Sequence, residues 1–280
     1  LDNLSITYII NTCNRGYFLK QNIQDQILSK HFDIAGINFD IIIVDDGSID
    51  GTFGKIKPLC VGKLGIPIKY IYLKRRIRNC YYSDSVPKNT AVSYSNSKFI
   101  YVADSDCYIC NSDIFHHLFE LHENEYLCPN MFRINYKKEF YDFCSKNWMH
   151  PLKCLEHFKK FGHISTECYY PTIYDEKATQ VIPFKSGLFG MHRETFHNIG
   201  GIPPIRTPFG TDEVMQGLIK EHNIILNEDA NSKLFVVHFP IKYAKDFFSI
   251  CSPYIDEHYE QINGITILKK EFLDVYELTL

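Results

Sequence analysis

Phe39-Asp40-Ile41-Ile42-Ile43-Val44-Asp45-Asp46-Gly47-Ser48-Ile49-Asp50-Gly51-Thr52 joins a short apolar run to an acidic turn without a break. A β-branched run of this length, bounded by Asp, Gly and Ser, reads as a buried strand that ends in a turn. The pattern recurs at Phe99-Ile100-Tyr101-Val102-Ala103, followed by Asp104-Ser105-Asp106. In an open α/β sheet, ligands bind beyond the carboxyl ends of the strands. Short carboxylates at two such ends can converge on one nucleotide and one divalent cation.

Outward from these stretches, strands and helices alternate. Strands are expected at 5–11, 40–44, 68–73 and 98–103. The apolar spacing predicts helices at 18–30, after the acidic turn, and at 87–95. Ser48, Asp50 and Thr52 are competent N-caps for the second helix. Pro87 suits a first helical turn, where its missing amide costs nothing. Such alternation predicts an α/β fold with a mostly parallel sheet covered by helices. Beyond Asp106, a helix capped by Ser112 or Asp113 is expected to run to about 124, followed by a strand at 125–129. Residues 132–180 lack clean alternation apart from a helix at 151–161, as a binding loop or lid would. Sheet character resumes at 181–191. A helix at 193–199 stops at Gly200-Gly201, and a helix at 211–221 and strands at 224–226 and 234–239 follow. The tail after Tyr254 reads as peripheral.

The chain has 280 residues, 45% of them hydrophobic, which is enough for a full core. Its net charge is −3, and no basic stripe appears, so nucleic acid is excluded as a partner. No apolar run reaches the length of a membrane span. The start at Leu1 has no signal-peptide pattern and is not Met, so the chain is expected to be part of a longer multidomain protein. The expected location is the cytoplasm, or the inner face of a membrane as a peripheral protein. The ten cysteines are scattered, and reduced, mostly buried thiols are expected. Cys107-Tyr108-Ile109-Cys110 has no second pair at metal-site spacing and is set aside as a zinc or redox motif.

Asp104-Ser105-Asp106 carries the most specific chemistry. Mg²⁺ and Mn²⁺ take carboxylate and phosphate oxygens with few protein ligands. One Asp can face a ribose or a metal-bound water while the other ligates the ion. Asp45 and Asp46 can accept hydrogen bonds from a base or from ribose hydroxyls. A turn that merely caps a helix would use the same residues, and both roles can coexist.

As a set, these stretches resemble family 2 glycosyltransferases, which have the GT-A fold. Ile41 to Thr52 looks like that family's nucleoside-binding turn, and Asp104-Ser105-Asp106 stands where it carries its Asp-x-Asp metal motif. Val86-Pro87-Lys88-Asn89-Thr90-Ala91 is similar to its Arg-Asn-x-Gly/Ala helix, with a point charge replacing the fork. Ser186 to Arg193 resembles the strand before the catalytic helix. Gly200-Gly201-Ile202 with Phe209-Gly210-Thr211-Asp212-Glu213 resembles the Gly-Gly-Phe and Glu-Asp segments. The resemblance covers roughly 5–240. It implies a GT-A domain at 1–245, with a nucleotide-sugar half at 1–110 and an acceptor half at 111–245. A C-terminal helical appendage is expected at 246–280.

The resemblance implies an inverting transfer of sugar from a UDP-sugar to a hydroxyl of a glycan, glycolipid or glycoprotein. Asn11, Thr12, Asn14, Arg15, Asp45, Asp46, Lys88, Asp104 and Ser105 would hold the donor. Asp104, Asp106 and a late histidine, His238, would hold Mn²⁺ or Mg²⁺. The general base falls on Asp212, with Glu213 as the neighbouring candidate. The chain departs from the pattern at Thr211, where the family has Glu, and at Cys13, where many relatives stack an aromatic on the base. Asn11, Thr12 or Tyr72 would then make the base contact. Trp148, Tyr169 and Tyr170 are candidate acceptor contacts. A nucleotidyltransferase would need a Gly-rich loop after the first strand, and a dehydrogenase Gly-x-Gly-x-x-Gly; neither is present. The remaining alternative is a catalytically degenerate GT-A domain that binds carbohydrate or serves as a scaffold.

Overall fold

Strand β1 (Ser5–Thr12) is the axis of the sheet, flanked in parallel by β2 (Asn38–Asp45) and β4 (Phe99–Asp104). The computed structural model describes residues 4–24, 37–61, 65–74, 85–109, 113–133, 187–204, 211–228, 235–238 and 258–278, with backbone only at 130–133, 213 and 235–238. Beyond β2 lie β3 (Ile68–Leu73), parallel to it, and the antiparallel β13 (Leu273–Glu277). Beyond β4 come β8 (Leu188–His192), β6 (Glu125–Leu127) and β9 (Ile225–Leu226). The order is β13-β3-β2-β1-β4-β8-β6-β9, in a mostly parallel sheet. A smaller sheet, β5-β10-β7, pairs Cys107–Ile109, Phe235–His238 and Asn130–Arg133.

Period-2 alternation makes two cores of this sheet. On one face Ile6, Tyr8, Ile10, Ile41, Ile43, Phe99, Tyr101 and Ala103 pack under α1 (Gly16–Asn22), α2 (Thr52–Cys60) and α4 (Ile114–Phe119), through Leu19, Ile56, Phe115 and Leu118. On the other face Ile9, Ile42, Val44, Ile100 and Val102 meet Ala91 and Val92 of α3 (Ser85–Ser93). That face also holds Phe196 of α5 (Arg193–Asn198), and Met215 and Ile219 of α6 (Thr211–Glu221). Burying each large aliphatic side chain contributes about 1.5–3 kcal/mol. The fold is therefore α/β, as the alternation predicts.

Three expectations change. Helix α2 has Gly51 at its N-cap with no side-chain cap; Asp50 accepts from the Thr52 amide at 3.0 Å instead, and Ser48 serves the neighbouring loop. The expected helical appendage at 246–280 is, over its described residues, extended chain apart from one 3-10 turn at Lys270–Phe272. Strands β11 (Tyr259–Ile262) and β12 (Ile265–Leu268) form a hairpin around Asn263 (φ 49°) and Gly264 (φ 81°). Asn-Gly is the preferred dipeptide where both turn residues need positive φ. The tail is also not peripheral: β13 extends the main sheet, and the hairpin docks on α3 through Asn89 Nδ2, which donates to the Thr266 carbonyl at 3.0 Å. The expected helix at 151–161, most of 132–180, and Trp148, Tyr169 and Tyr170 lie outside the described residues. No helix among those described is long and apolar enough to cross a membrane.

Candidate functional site

The last residues of β1 hold both acidic turns. Thr12 pairs with Asp45 in the β1–β2 register, and Asn11 pairs with Asp104 in the β1–β4 register. Beyond the ladder, the Asp46 amide donates to the Thr12 carbonyl at 2.9 Å, and the Ser105 amide to the Asn11 carbonyl at 2.8 Å. Ser105 and Thr12 hydroxyls lie 3.1 Å apart. The two sequence-predicted turns are thus neighbours across one strand end.

Strand alternation sends their carboxylates to different partners. Asp104 and Asn11 follow Val102 and Ile9 onto the α3 face. There Lys88 Nζ meets Asp104 Oδ1 at 3.1 Å, and Asn11 Nδ2 donates to the same oxygen at 3.3 Å. The Lys88 side chain is fully enclosed and that of Asp104 is 19% exposed. Asp106, past the turn, is met from the other side: Arg15, which precedes α1, places its guanidinium 2.9 Å from Asp106 Oδ2. From α1, Asn22 Nδ2 donates to the carbonyls of Ser105 and Cys107 and fixes the turn.

Asp45 follows Ile41 and Ile43 onto the α1 face. Its Oδ1 accepts from the Ser48 amide at 2.8 Å and its Oδ2 from the Tyr70 hydroxyl, so both oxygens build the loop. Asp46 is almost equally buried. Asn14, at φ 52°, links the β1 and β2 loops: its amide donates to Ser48 Oγ at 2.7 Å, and its Oδ1 accepts from the Ile49 amide at 2.8 Å. Gly16 N donates to Asp50 Oδ2 at 3.0 Å in the same seam. Cys13 is buried and its thiol donates to the Asp46 carbonyl at 3.3 Å, so it supports the loop from beneath. Burial, then the Asp106 and Asp104 carboxylates, push the Cys107 thiol well up, which disfavours a thiolate ligand there. Cys110 lies outside the described residues.

Burial raises the Asp45 pKa above its ordinary value, and the Ser48 and Tyr70 hydrogen bonds offset only part of this. A raised carboxylate pKa means that its share of stability is present below the unfolded-state value. That share is lost as pH rises through the folded-state value. Asp45→Asn is expected to remove this part of the slope, because an amide can still accept from Ser48 and face Tyr70. Urea unfolding from pH 4 to 8 checks it; equal slopes for both proteins would contradict the cause assigned.

Asp212 lies in the first turn of α6, half-buried, next to the buried Thr211. Met215 and Ile219 anchor α6 on the same face of the sheet as α3, the helix that carries Lys88. The Glu213 and His238 side chains are outside the description. The backbone register nevertheless places His238 opposite Cys107, one residue from Asp106. Among the described residues no group of three or more potential metal ligands gathers.

Two further residues shape the site; both stand in stretches that carry the family resemblance, and neither is among the expected site residues. Gly187 accepts from the Asp104 amide at 2.9 Å, and a Cβ on it would lie 2.7 Å from Asp104 Oδ2. Gly187→Ala is expected to displace that carboxylate, destabilise the fold by about 1–3 kcal/mol and weaken nucleotide binding. Thermal unfolding with calorimetry reads both effects; unchanged binding would show that the carboxylate yields freely. Asn89 joins α3 to the loop after α5: its Nδ2 donates to the Ile202 carbonyl at 2.8 Å, and its Oδ1 accepts from the Ile202 amide at 2.9 Å.

A separate cavity of about 550 Å³ opens at the other end of the sheet, lined by Ser5, Lys98, Glu123, His192 and Arg193 among others. It lies at the amino ends of β1 and β4, away from the acidic turns.

No curated protein sequence matches the chain. Among solved structures, it is similar to a mutant Drosophila β1,4-galactosyltransferase 7 in complex with manganese, UDP-Gal and xylobiose: TM-score 0.49, 12% identity, covering 95% of this chain and 92% of that one. It is also similar to mannosyl-3-phosphoglycerate synthase from Rubrobacter xylanophilus, with TM-score 0.49, 13% identity, and 98% and 86% coverage. A mannosyltransferase from Pyrobaculum calidifontis in complex with GDP-Man and Mn²⁺ gives TM-score 0.48, 13% identity, and 85% and 58% coverage. The family model described as Glycosyl transferase family 2 matches residues 7–199. That span covers more than half of the chain and contains both acidic turns, Lys88 and the strand after Gly187, so the chain belongs to glycosyl transferase family 2 and is a glycosyltransferase.

Proposed function

We propose that this enzyme transfers a sugar from a UDP-sugar to a hydroxyl of a glycan or glycoconjugate, with inversion at the anomeric carbon. The observation that carries the reading is the meeting of Asp104, Asp106, Lys88 and Arg15 at the carboxyl ends of β1 and β4, beside the turn after β2. Asp46, Thr12 and Asn11 suit the nucleoside, since they lie at or just past the carboxyl ends of β1 and β2. Asp45 supports them from below by fixing the Ser48 loop.

The donor set fits a hard divalent cation, Mn²⁺ or Mg²⁺. Asp104 and Asp106 offer carboxylate oxygens, His238 is one strand position away, and a nucleotide diphosphate would complete the shell. When bound, the cation supplies neutralising charge for the departing diphosphate. Lys88 holds Asp104 in place and adds positive charge beneath the phosphates. Arg15 is placed to do the same from the α1 side. Asp212 takes the acceptor proton as the hydroxyl oxygen attacks the anomeric carbon, with Glu213 beside it on the same helical turn.

The test is a panel of UDP- and GDP-sugars, with and without Mn²⁺, in which released nucleotide diphosphate is measured. Metal-dependent release from one UDP-sugar is expected. Release only from a GDP-sugar would reassign the nucleotide. No release from any donor, with no binding of UDP or GDP, would leave a degenerate carbohydrate-binding or scaffold domain.

A further inference from the structure

We propose that Arg15 is a built-in counter-ion of Asp106 that a divalent cation must displace, so that ion and nucleotide diphosphate bind cooperatively. This rests on the reading of Asp106 as a metal ligand. The two carboxylates of the Asp-x-Asp turn are each paired with a basic side chain: Asp104 with Lys88 at 3.1 Å, Asp106 with Arg15 at 2.9 Å. The Asp106 side chain is 1% exposed and that of Arg15 is 12% exposed. A divalent cation entering alone would leave two positive charges uncompensated in a poorly hydrated site, which is costly.

A diphosphate removes that obstacle. It brings negative charge with the ion and offers the planar guanidinium a bidentate partner. Arg15 and Lys88 differ in their capacity to exchange partners. Lys88 is fully enclosed within the fold, on α3. Arg15 sits in the turn before α1, next to Asn14 at φ 52°, and is partly open to solvent. Exchange at Arg15 therefore needs a side-chain movement rather than a helix movement. Asp106 passes from guanidinium to ion, and Arg15 passes from Asp106 to phosphate. Each binding event then favours the other by the same factor.

Calorimetry on the full chain tests this, with Mn²⁺ alone, UDP alone, and Mn²⁺ in saturating UDP. In the wild type, UDP is expected to tighten Mn²⁺ by about 5–150-fold. In Arg15→Gln, Mn²⁺ without UDP is expected to bind at least about fivefold more tightly than in the wild type, and the coupling to shrink. Arg15→Lys keeps the competing charge but not the fork, so Mn²⁺ alone should bind as in the wild type while the coupling to UDP shrinks, a split that a merely structural role would not produce. Equal or weaker Mn²⁺ binding by Arg15→Gln, with UDP and Mn²⁺ still bound together, would overturn the inference and leave the proposed function standing. No binding of Mn²⁺ or UDP by either protein would overturn both.

Discussion

Asp106→Asn is expected to lower release of nucleotide diphosphate by about a thousandfold, which corresponds to about 4 kcal/mol of transition-state stabilisation. The substitution keeps the shape of the side chain and removes its charge. It therefore removes one of the two carboxylates of the turn while β4, β5 and the Asn22 bonds that position the turn remain. The effect should fall on kcat and should not be rescued by raised Mn²⁺. Breaking the pair with Arg15 also costs stability, so the assay belongs at a temperature where thermal unfolding shows the variant folded. Activity within about fivefold of the wild type would remove Asp106 from the metal site.

Asp212→Asn is the second large expectation, and it differs in kind. Loss of a general base lowers the chemical step by about 10²–10⁴-fold without touching the donor. Binding of UDP with Mn²⁺ should stay near the wild type, because Asp212 lies on α6, whereas the acidic turns follow the ends of β2 and β4. Glu213→Gln is expected to be far milder. If the large loss follows Glu213→Gln instead, the base moves one residue along the helix. If both variants keep full transfer, the base lies elsewhere.

The sequence made the strands and their acidic ends legible because each is a local signal. Ile41 to Val44 and Phe99 to Ala103 are apolar runs that stop at Asp, and a parallel sheet puts such stops on one edge. The partners of those acids were less legible. Lys88 and Arg15 stood out as basic residues near the nucleotide, but the pairing of Arg15 with Asp106 spans a long stretch of chain and depends on which side of β4 the turn leaves. Asp45 reads from the sequence as a ligand contact; in the fold its two oxygens accept from the Ser48 amide and from the hydroxyl of Tyr70 on the neighbouring strand β3. The close approach of Gly187 to Asp104 has no sequence signature beyond the glycine itself.

The tail shows a different failure. Ile262-Asn263-Gly264-Ile265 carries a hairpin signal, and the alternation on either side agrees with it. Nothing local announces that Leu273–Glu277 pairs with β3, which lies about two hundred residues earlier in the chain. Strand β5 has no comparable signal, because three residues, Cys107-Tyr108-Ile109, are too short for alternation to show.

A structure determined with UDP and Mn²⁺ bound would test the donor site most directly. The expected result is uridine against Thr12 and Asp46, with the diphosphate and the ion between Asp104 and Asp106, and Arg15 turned from Asp106 to phosphate. Nucleotide bound at the opposite edge of the sheet, in the cavity beside Lys98 and Arg193, with the acidic turns unchanged, would contradict it.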